Sequence, residues 1–185
     1  MANNPNENAT PSKLRKPLRF ITDYNSEGKS VFSTVFDTEM ENKDVFNVTV
    51  HAAFVSATSP AQMNAGADLE AMQSLPPATG IGREGATVAR LVDFPPGQMT
   101  FMHRTVTVNH GVHISGDLEL VLDSGEARRL RPGDVVVQRG TNHAWRNSHP
   151  TETARAFFVM APIVPLVIDG EQLGEYIEVP KEASL

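Results

Sequence analysis

The chain has 185 residues, of which 40% are hydrophobic and 21% are charged, with a formal net charge of −6 at pH 7. This length is enough for one domain with a buried core, and the negative charge without a basic stripe argues against nucleic-acid binding. Cysteine is absent, which excludes disulfides, thiolate metal ligands and a cysteine nucleophile.

The N-terminal residues are polar. Residues 1–15 are rich in Asn, Pro, Ser and Thr, and we expect a disordered arm there. They contain no apolar segment typical of a secretory signal, and no stretch of the chain approaches the roughly 18 apolar residues of a membrane span. We therefore expect a cytoplasmic protein with no membrane partner.

Short strands dominate the part of the chain that follows this arm. Three runs rich in β-branched and aromatic residues predict strands over 18–22, 30–36 and 45–55. Residues 68–74 form the one stretch of this half with a helical pattern, and Asp68 is placed to cap it.

From residue 86 onward, short strands recur with turn residues between them, such as Pro95-Pro96-Gly97 and Ser115-Gly116-Asp117. This spacing is typical of antiparallel sandwiches and barrels, so we predict an all-β fold with one or two short helices. No second domain boundary is visible, and residues 16–185 are assigned to a single domain. The predicted strands are 86–94, 100–109, 111–115, 118–122, 126–130, 134–138, 143–147 and 155–161.

Four of the six histidines fall within 41 residues of this β-rich part: His103, His110, His113 and His143. Imidazole is well suited to proton transfer and metal ligation near neutral pH. Because side chains alternate along a strand, His103, Asn109 and His113 are predicted on one face and His110 on the other. Gly111 is predicted to leave room for a ligand on that face.

Gly97 is followed after five residues by His103, and Gly116 closes the same stretch. This pattern resembles the first motif of the cupin superfamily, G-x5-H-x-H-x3–4-E-x6-G. Thr105 stands where the motif has its second histidine, and Asn109 stands where it has its glutamate.

A second stretch is similar to the other cupin motif, P-x-G-x-x-H-x3-N. Gly140, His143 and Asn147 stand at its positions, and Gln138 replaces its proline. The resemblance covers residues 86–161 and is to small single-domain cupins of fungal and bacterial metabolism. It implies a jelly-roll β-barrel whose motif side chains point inward.

The resemblance also raises the question of a metal. A typical cupin site uses three histidines and a glutamate, which suit Fe, Mn, Ni or Zn. Because Thr105 and Asn109 replace two of these ligands, we favour no cofactor. The alternative is a divalent metal held by His103, His113 and His143, since strand parity permits His113 to join the set.

The leading hypothesis is an enzyme that carries out a non-redox lyase or isomerase step on a small organic acid or polyketide-like metabolite. Dehydration, decarboxylation and cyclisation all fit this description. The candidate acids and bases are His103, His143 and His113. The candidate substrate-binding residues are Asn109, Trp145, Arg90 and Thr105. For Arg90, which lies in an apolar strand, the alternative to holding a substrate carboxylate is an exterior salt bridge.

Two other functions stay open at this point. One is a metal-dependent dioxygenase, and the other is a cupin that binds or senses a small ligand without catalysis, because fold does not dictate function. By analogy with small cupins, we expect a homodimer in which the arm and the strand over 18–22 cross to the neighbouring copy. The tail over 172–185 is predicted to add a helical turn or an edge strand.

Overall fold

The computed structural model describes residues 14–75 and 81–178, and most of the predicted disordered arm lies outside these ranges. Within them the prediction of an all-β fold is confirmed. One α-helix, α1 (Ala67–Ser74), follows a 3-10 turn at Asn64–Gly66. The strands in chain order are β1 (Thr22–Tyr24), β2 (Ser30–Phe32), β3 (Asn42–Val45), β4 (Val48–Ser56), β5 (Thr87–Phe94), β6 (His103–Arg104), β7 (Thr107–Ser115), β8 (Leu118–Leu122), β9 (Ala127–Leu130), β10 (Val135–Arg139), β11 (His143–Arg146), β12 (Ala154–Pro162), β13 (Val167–Ile168), β14 (Glu171–Gln172) and β15 (Tyr176–Ile177).

Two antiparallel sheets make up most of the described structure. The larger sheet has the spatial order β10-β7-β12-β5-β4-β3, and the smaller has the order β15-β6-β11-β8-β9. Two separate hairpins, β1-β2 and β13-β14, add to them. No helix in the described residues has the length and apolar character needed to cross a membrane.

The core lies between the two sheets, as expected for a jelly roll. Phe94, Phe158 and Met160 of the larger sheet pack in one buried cluster with Leu118 and Trp145 of the smaller sheet. Strand β7 shows the alternation that this packing requires, because its odd-numbered residues from 107 to 113 are buried. The jelly-roll prediction is therefore confirmed as a pair of facing sheets.

Several predicted strands have different boundaries in the structure. The run over 18–22 shares only Thr22 with β1, and the run over 30–36 is a strand only as far as Phe32. The run over 45–55 is divided between β3 and β4 by a tight turn at Phe46 and Asn47, whose φ angles are 47° and 68°. Positive φ at both central residues is the geometry of a two-residue hairpin loop. The predicted break at residue 110 is also wrong, since β7 runs without interruption through Gly111 and the chain leaves its ladder at 105–106 instead.

The predicted helix has a different N-terminus. Helix α1 begins at Ala67, and its N-cap is Gly66 with φ of 72°, a conformation that glycine adopts at little cost. Asp68 therefore lies in the first turn and makes no capping hydrogen bond. A negative side chain in this turn interacts favourably with the helix dipole.

Gly111 makes room for a protein ring and not, as predicted, for a ligand. A Cβ at this position would lie 2.7 Å from Cε1 and 2.9 Å from Cδ1 of Phe158, the residue paired with Gly111 across β7 and β12. We expect Gly111→Ala to lower the free energy of unfolding by about 1–3 kcal/mol, because the Phe158 ring must shift. Urea unfolding of this variant beside Gly174→Ala, where an added Cβ meets no atom within 4 Å, would measure the effect. Equal stability of the two variants would contradict the prediction.

Candidate active site

A cavity of about 600 Å³ opens between the two sheets. Its apolar wall comes mainly from the larger sheet and includes Val50, Val92, Phe94, Phe158 and Met160. Several polar side chains interrupt this wall: Arg90, His103, Asn109, Gln138 and His143. An apolar hollow with a few convergent polar groups is the usual form of a small-molecule site.

His103 and His143 meet inside this cavity. Strands β6 and β11 pair antiparallel, and the register sets His103 directly opposite His143. The centroids of the two imidazole rings are 4.3 Å apart. Two histidines that are distant along the chain are thus in contact, as the resemblance to the cupin motifs implies.

The two imidazoles have the same hydrogen-bond arrangement. Nδ1 of His103 lies 2.8 Å from the carbonyl oxygen of Phe101, and Nδ1 of His143 lies 2.9 Å from that of Thr141. A carbonyl oxygen only accepts, so Nδ1 carries the proton in both rings. The Nε2 atom of each neutral ring is therefore left as a proton acceptor.

Burial keeps both imidazoles neutral at physiological pH. It lowers the pKa of His143 to about 3, and the neighbouring His103 and then Arg90 add to this shift through charge repulsion. Burial also lowers the pKa of His103, against the opposing effect of its hydrogen bond to Phe101. His143 is 2% exposed and His103 is half-buried, so a proton on His103 costs less desolvation, and His103 is the better candidate for accepting a proton from a substrate.

Arg90 places a positive charge beside the two imidazoles. Its Nη1 donates a hydrogen bond to the carbonyl oxygen of Ile81 at 3.0 Å, and its side chain lines the cavity. Burial lowers the pKa of Arg90 to about 10, with Glu175 partly offsetting the shift, so the guanidinium stays charged at neutral pH. The alternative of an exterior salt bridge is therefore wrong, because β5 turns this side chain inward.

Asn109 belongs to a buried chain of hydrogen bonds that ends at the cavity. The hydroxyl of Thr107 donates to Oδ1 of Asn109 at 2.6 Å and lies 2.6 Å from the hydroxyl of Thr105. Asn109 Nδ2 donates in turn to Oε1 of Gln138 at 3.4 Å. Nε2 of Gln138 is buried and has no partner, which leaves a donor for a bound oxygen atom. Sequence reasoning missed Gln138, although its replacement of the motif proline was a visible signal.

Comparison with known proteins places the chain in a family, although no family model matches it. Phomopsin biosynthesis cluster protein C' of Diaporthe leptostromiformis is 42% identical over 176 residues, which are 91% of this chain and 90% of that protein. A cupin-domain-containing oxidoreductase of Aspergillus ruber is 34% identical over 167 residues, 89% of this chain and 81% of that protein. The chain belongs to the cupin superfamily.

A solved structure agrees with the fold of this cupin. The vicilin of Solanum melongena superposes with a TM-score of 0.50 at 13% identity, over 77% of this chain and 33% of the vicilin. The two proteins share a fold over this part of the chain.

The usual cupin metal does not fit the residues of this cupin. Thr105 is buried and its hydroxyl is turned to Thr107, and Asn109 offers an amide where the motif has a carboxylate. No group of three or more His, Asp or Glu side chains in residues 14–75 and 81–178 has metal-binding spacing. The side chains of this site are therefore a poor donor set for such a metal.

His113 does not complete a set with His103 and His143. It is buried on the predicted face of β7, but it is not among the residues that line the cavity. Its Nε2 lies 3.0 Å from the carbonyl oxygen of Ser115. Strand parity determines the side of a sheet and not the depth, and His113 lies four residue steps, or about 13 Å, along the strand from Asn109. The predicted three-histidine set is thus not brought together, and neither Thr105 nor His113 reaches the cavity.

Trp145 forms part of the cavity wall beside His143. Its ring lies edge-on to the His143 ring at 6.2 Å and to Phe158 at 5.3 Å. It is 4% exposed, so it serves the core and the cavity at once. Asn147 has the structural role of a turn residue, with Nδ2 donating to the carbonyl oxygens of Phe94 and Glu152.

Proposed function

We propose that this cupin is a lyase or isomerase of secondary metabolism that acts on a small organic acid or polyketide-like metabolite. The observation that carries the proposal is the pair of neutral, mutually contacting imidazoles in an otherwise largely apolar cavity. Dehydration and cyclisation need a proton acceptor near a substrate carbon, decarboxylation needs a proton donor for the carbanion that it leaves, and all three need stabilisation of a developing oxyanion.

In the proposed mechanism, Nε2 of His103 accepts a proton from the substrate carbon. The resulting imidazolium returns this proton to the leaving group or to a second carbon. Because the pKa of His143 is about 3, His143 stays neutral and accepts a hydrogen bond from a substrate hydroxyl. The amides of Asn109 and Gln138 donate to the developing oxyanion, and the charge of Arg90 stabilises it.

The names of the relatives support the metabolic setting. One relative is the phomopsin biosynthesis cluster protein C' described above. Another, oryzines biosynthesis cluster protein J of Aspergillus oryzae, is 38% identical over 85% of this chain. A second candidate function is oxidation, since other relatives are named cupin-domain-containing oxidoreductases. The side chains of the cavity do not fit the metal that a dioxygenase would need.

An isotope experiment separates these functions. The purified protein is incubated with a panel of β-keto and β-hydroxy acids under ¹⁸O₂ in D₂O buffer, and products are identified by mass spectrometry. We expect loss of water, loss of CO₂ with deuterium at the carbon that carried it, or an isomeric product, and no ¹⁸O in any of them. Turnover is expected to be unchanged after dialysis against a chelator, as checked by metal analysis. Incorporation of ¹⁸O, or activity that a chelator removes, would favour the oxidoreductase, and ligands retained without any product would favour a binding protein.

A further inference from the structure

Arg90 is a cation in an apolar cavity with part of its hydrogen-bonding capacity unused. Its Nη1 is held by the carbonyl oxygen of Ile81, but its Nε is buried and has no hydrogen-bond partner. A buried donor without a partner is costly, and a charged one more so. Such a group implies a ligand atom that satisfies it.

We propose that Arg90 anchors a carboxylate subsite, so that the ligand of this cavity is an organic monocarboxylate with an apolar body. The inference rests on the proposed function in so far as it assigns the substrate class of the same cavity. It concerns recognition and not proton transfer, and the two can therefore be tested apart.

The orientation of the guanidinium favours a carboxylate over a neutral oxygen. The bond from Nη1 to Ile81 fixes one edge of the planar group, which leaves the edge formed by Nε and Nη2. Two parallel N–H donors on one edge match the two oxygens of a carboxylate. A single hydroxyl or ketone oxygen would satisfy only one of them.

The charges around Arg90 leave room for an anion. Glu175 is the carboxylate that acts on it through space, but Glu175 already accepts a hydrogen bond from the backbone N of Ile81 at 2.8 Å. His103 and His143, which also face Arg90, are neutral at physiological pH. The other charged residues that line the cavity are Glu41, Lys43 and Arg83.

The other side chains of the cavity wall indicate what the rest of the ligand is like. On β5, Val88 and Val92 lie on the same face as Arg90 and line the cavity. Phe158, which also lines the cavity, is the residue of β12 paired with Arg90. A cyclic or branched hydrocarbon body would bury apolar area against these side chains. With its carboxylate at Arg90, the ligand would share one cavity with the two imidazoles, where the proposed chemistry takes place.

The tryptophan of the cavity wall makes the proposal measurable without knowledge of the substrate. Trp145 is the one tryptophan of the chain, so its fluorescence reports on the cavity alone. The probes are cyclohexylacetate and its neutral isostere cyclohexylacetamide, neither of which absorbs where tryptophan does. At neutral pH we expect the carboxylate to bind at least about tenfold more tightly than the amide. The preference should fade as the pH rises above about 10, where Arg90 loses its charge.

Variants assign the preference to Arg90. Arg90→Met is expected to remove it, and Arg90→Lys to keep a part, because lysine retains the charge without the planar fork. Arg128→Met, which removes an exposed arginine of β9, is the matched control and should keep the full preference. Thermal unfolding checks that each variant is folded.

Four outcomes decide the matter. Equal affinity of the two probes for the unsubstituted protein would overturn the proposal, as would a full preference in folded Arg90→Met and Arg90→Lys. A preference that persists in His103→Asn and His143→Asn, with turnover lost, supports both proposals. A preference that depends on Arg90 in a protein without turnover on any acid would support the subsite and count against the proposed enzyme.

Discussion

Replacement of His103 or His143 by asparagine is expected to lower kcat by at least about 100-fold, the typical contribution of a positioned acid or base. Asparagine keeps a polar group of similar reach but has no ring nitrogen that accepts and releases a proton. The two rings are in contact at 4.3 Å, so we expect the double variant to lose little more than either single one. Steady-state kinetics on the acid found in the isotope screen is the measurement.

His110→Asn is the matched control for these variants. His110 lies on β7 within the same motif region, but it is exposed and points away from the cavity. Its replacement should leave kcat unchanged. Full activity in both His103→Asn and His143→Asn, with the fold intact, would remove the assignment of the site.

The pH dependence offers a second test of the same pair. The base must be neutral, and burial lowers the pKa of His103 below the ordinary value of 6.5. The rate should therefore stay level as the pH falls through 6.5, and should decline only at pH values below the lowered pKa of His103. The free energy of unfolding should also fall as the pH falls. Because the folded pKa of His143 is about 3, the unfolded chain takes up its proton first, and folding free energy is lost as pH falls from 6.5 toward 3. The loss attributable to this residue is roughly 1.4 kcal/mol per pH unit, and His143→Asn should not show it.

The sequence was informative wherever a motif and a strand pattern agreed. The resemblance to the two cupin motifs implied that His103 and His143 would point into one cavity, and the structure places them opposite each other on paired strands. Alternation along β7 predicted the inward face of Asn109 and the outward face of His110. The cupin resemblance predicted the jelly roll, which the packing of the two sheets confirms.

Depth and side-chain partners could not be predicted in the same way. His113 shares a face with Asn109, yet Gly111 and the Phe158 ring fill the space between them. Thr105 is turned away by its hydrogen bond to Thr107, a contact that no sequence pattern specifies. The homodimer and the cytoplasmic location stay predictions.

A buried charge cluster lies on the other side of the larger sheet. Arg155 donates to both oxygens of Asp93, from Nε at 2.5 Å and from Nη2 at 2.7 Å, and Nε2 of His51 lies 3.1 Å from the same carboxylate. Asp93, His51 and Arg155 are 3%, 5% and 8% exposed. Arg155 also donates to the carbonyl oxygen of Arg15, which ties the N-terminal segment to the sheet.

We expect Asp93→Asn to lower the free energy of unfolding by about 3–5 kcal/mol, because it leaves the buried Arg155 guanidinium without its counter-charge. The pair joins neighbouring strands, since Asp93 and Arg155 are partners in the ladder between β5 and β12. Thermal and urea unfolding measure the loss, and a fall in Tm of about 6 °C or more is expected for a domain of this size.

Glu27→Gln provides the matched comparison, because Glu27 pairs with Lys29 at 2.7 Å in an equally short ion pair that is exposed to solvent. This change should cost at most about 1 kcal/mol. The double variant Asp93→Asn with Arg155→Met removes both charges and should recover part of the stability, since an unpaired buried charge costs more than a missing pair. If Asp93→Asn were no more destabilising than Glu27→Gln, the burial of an unpaired Arg155 charge would not be what weakens the fold.

None of the three residues of this cluster lines the cavity, so carboxylate binding should be unchanged in any variant that stays folded.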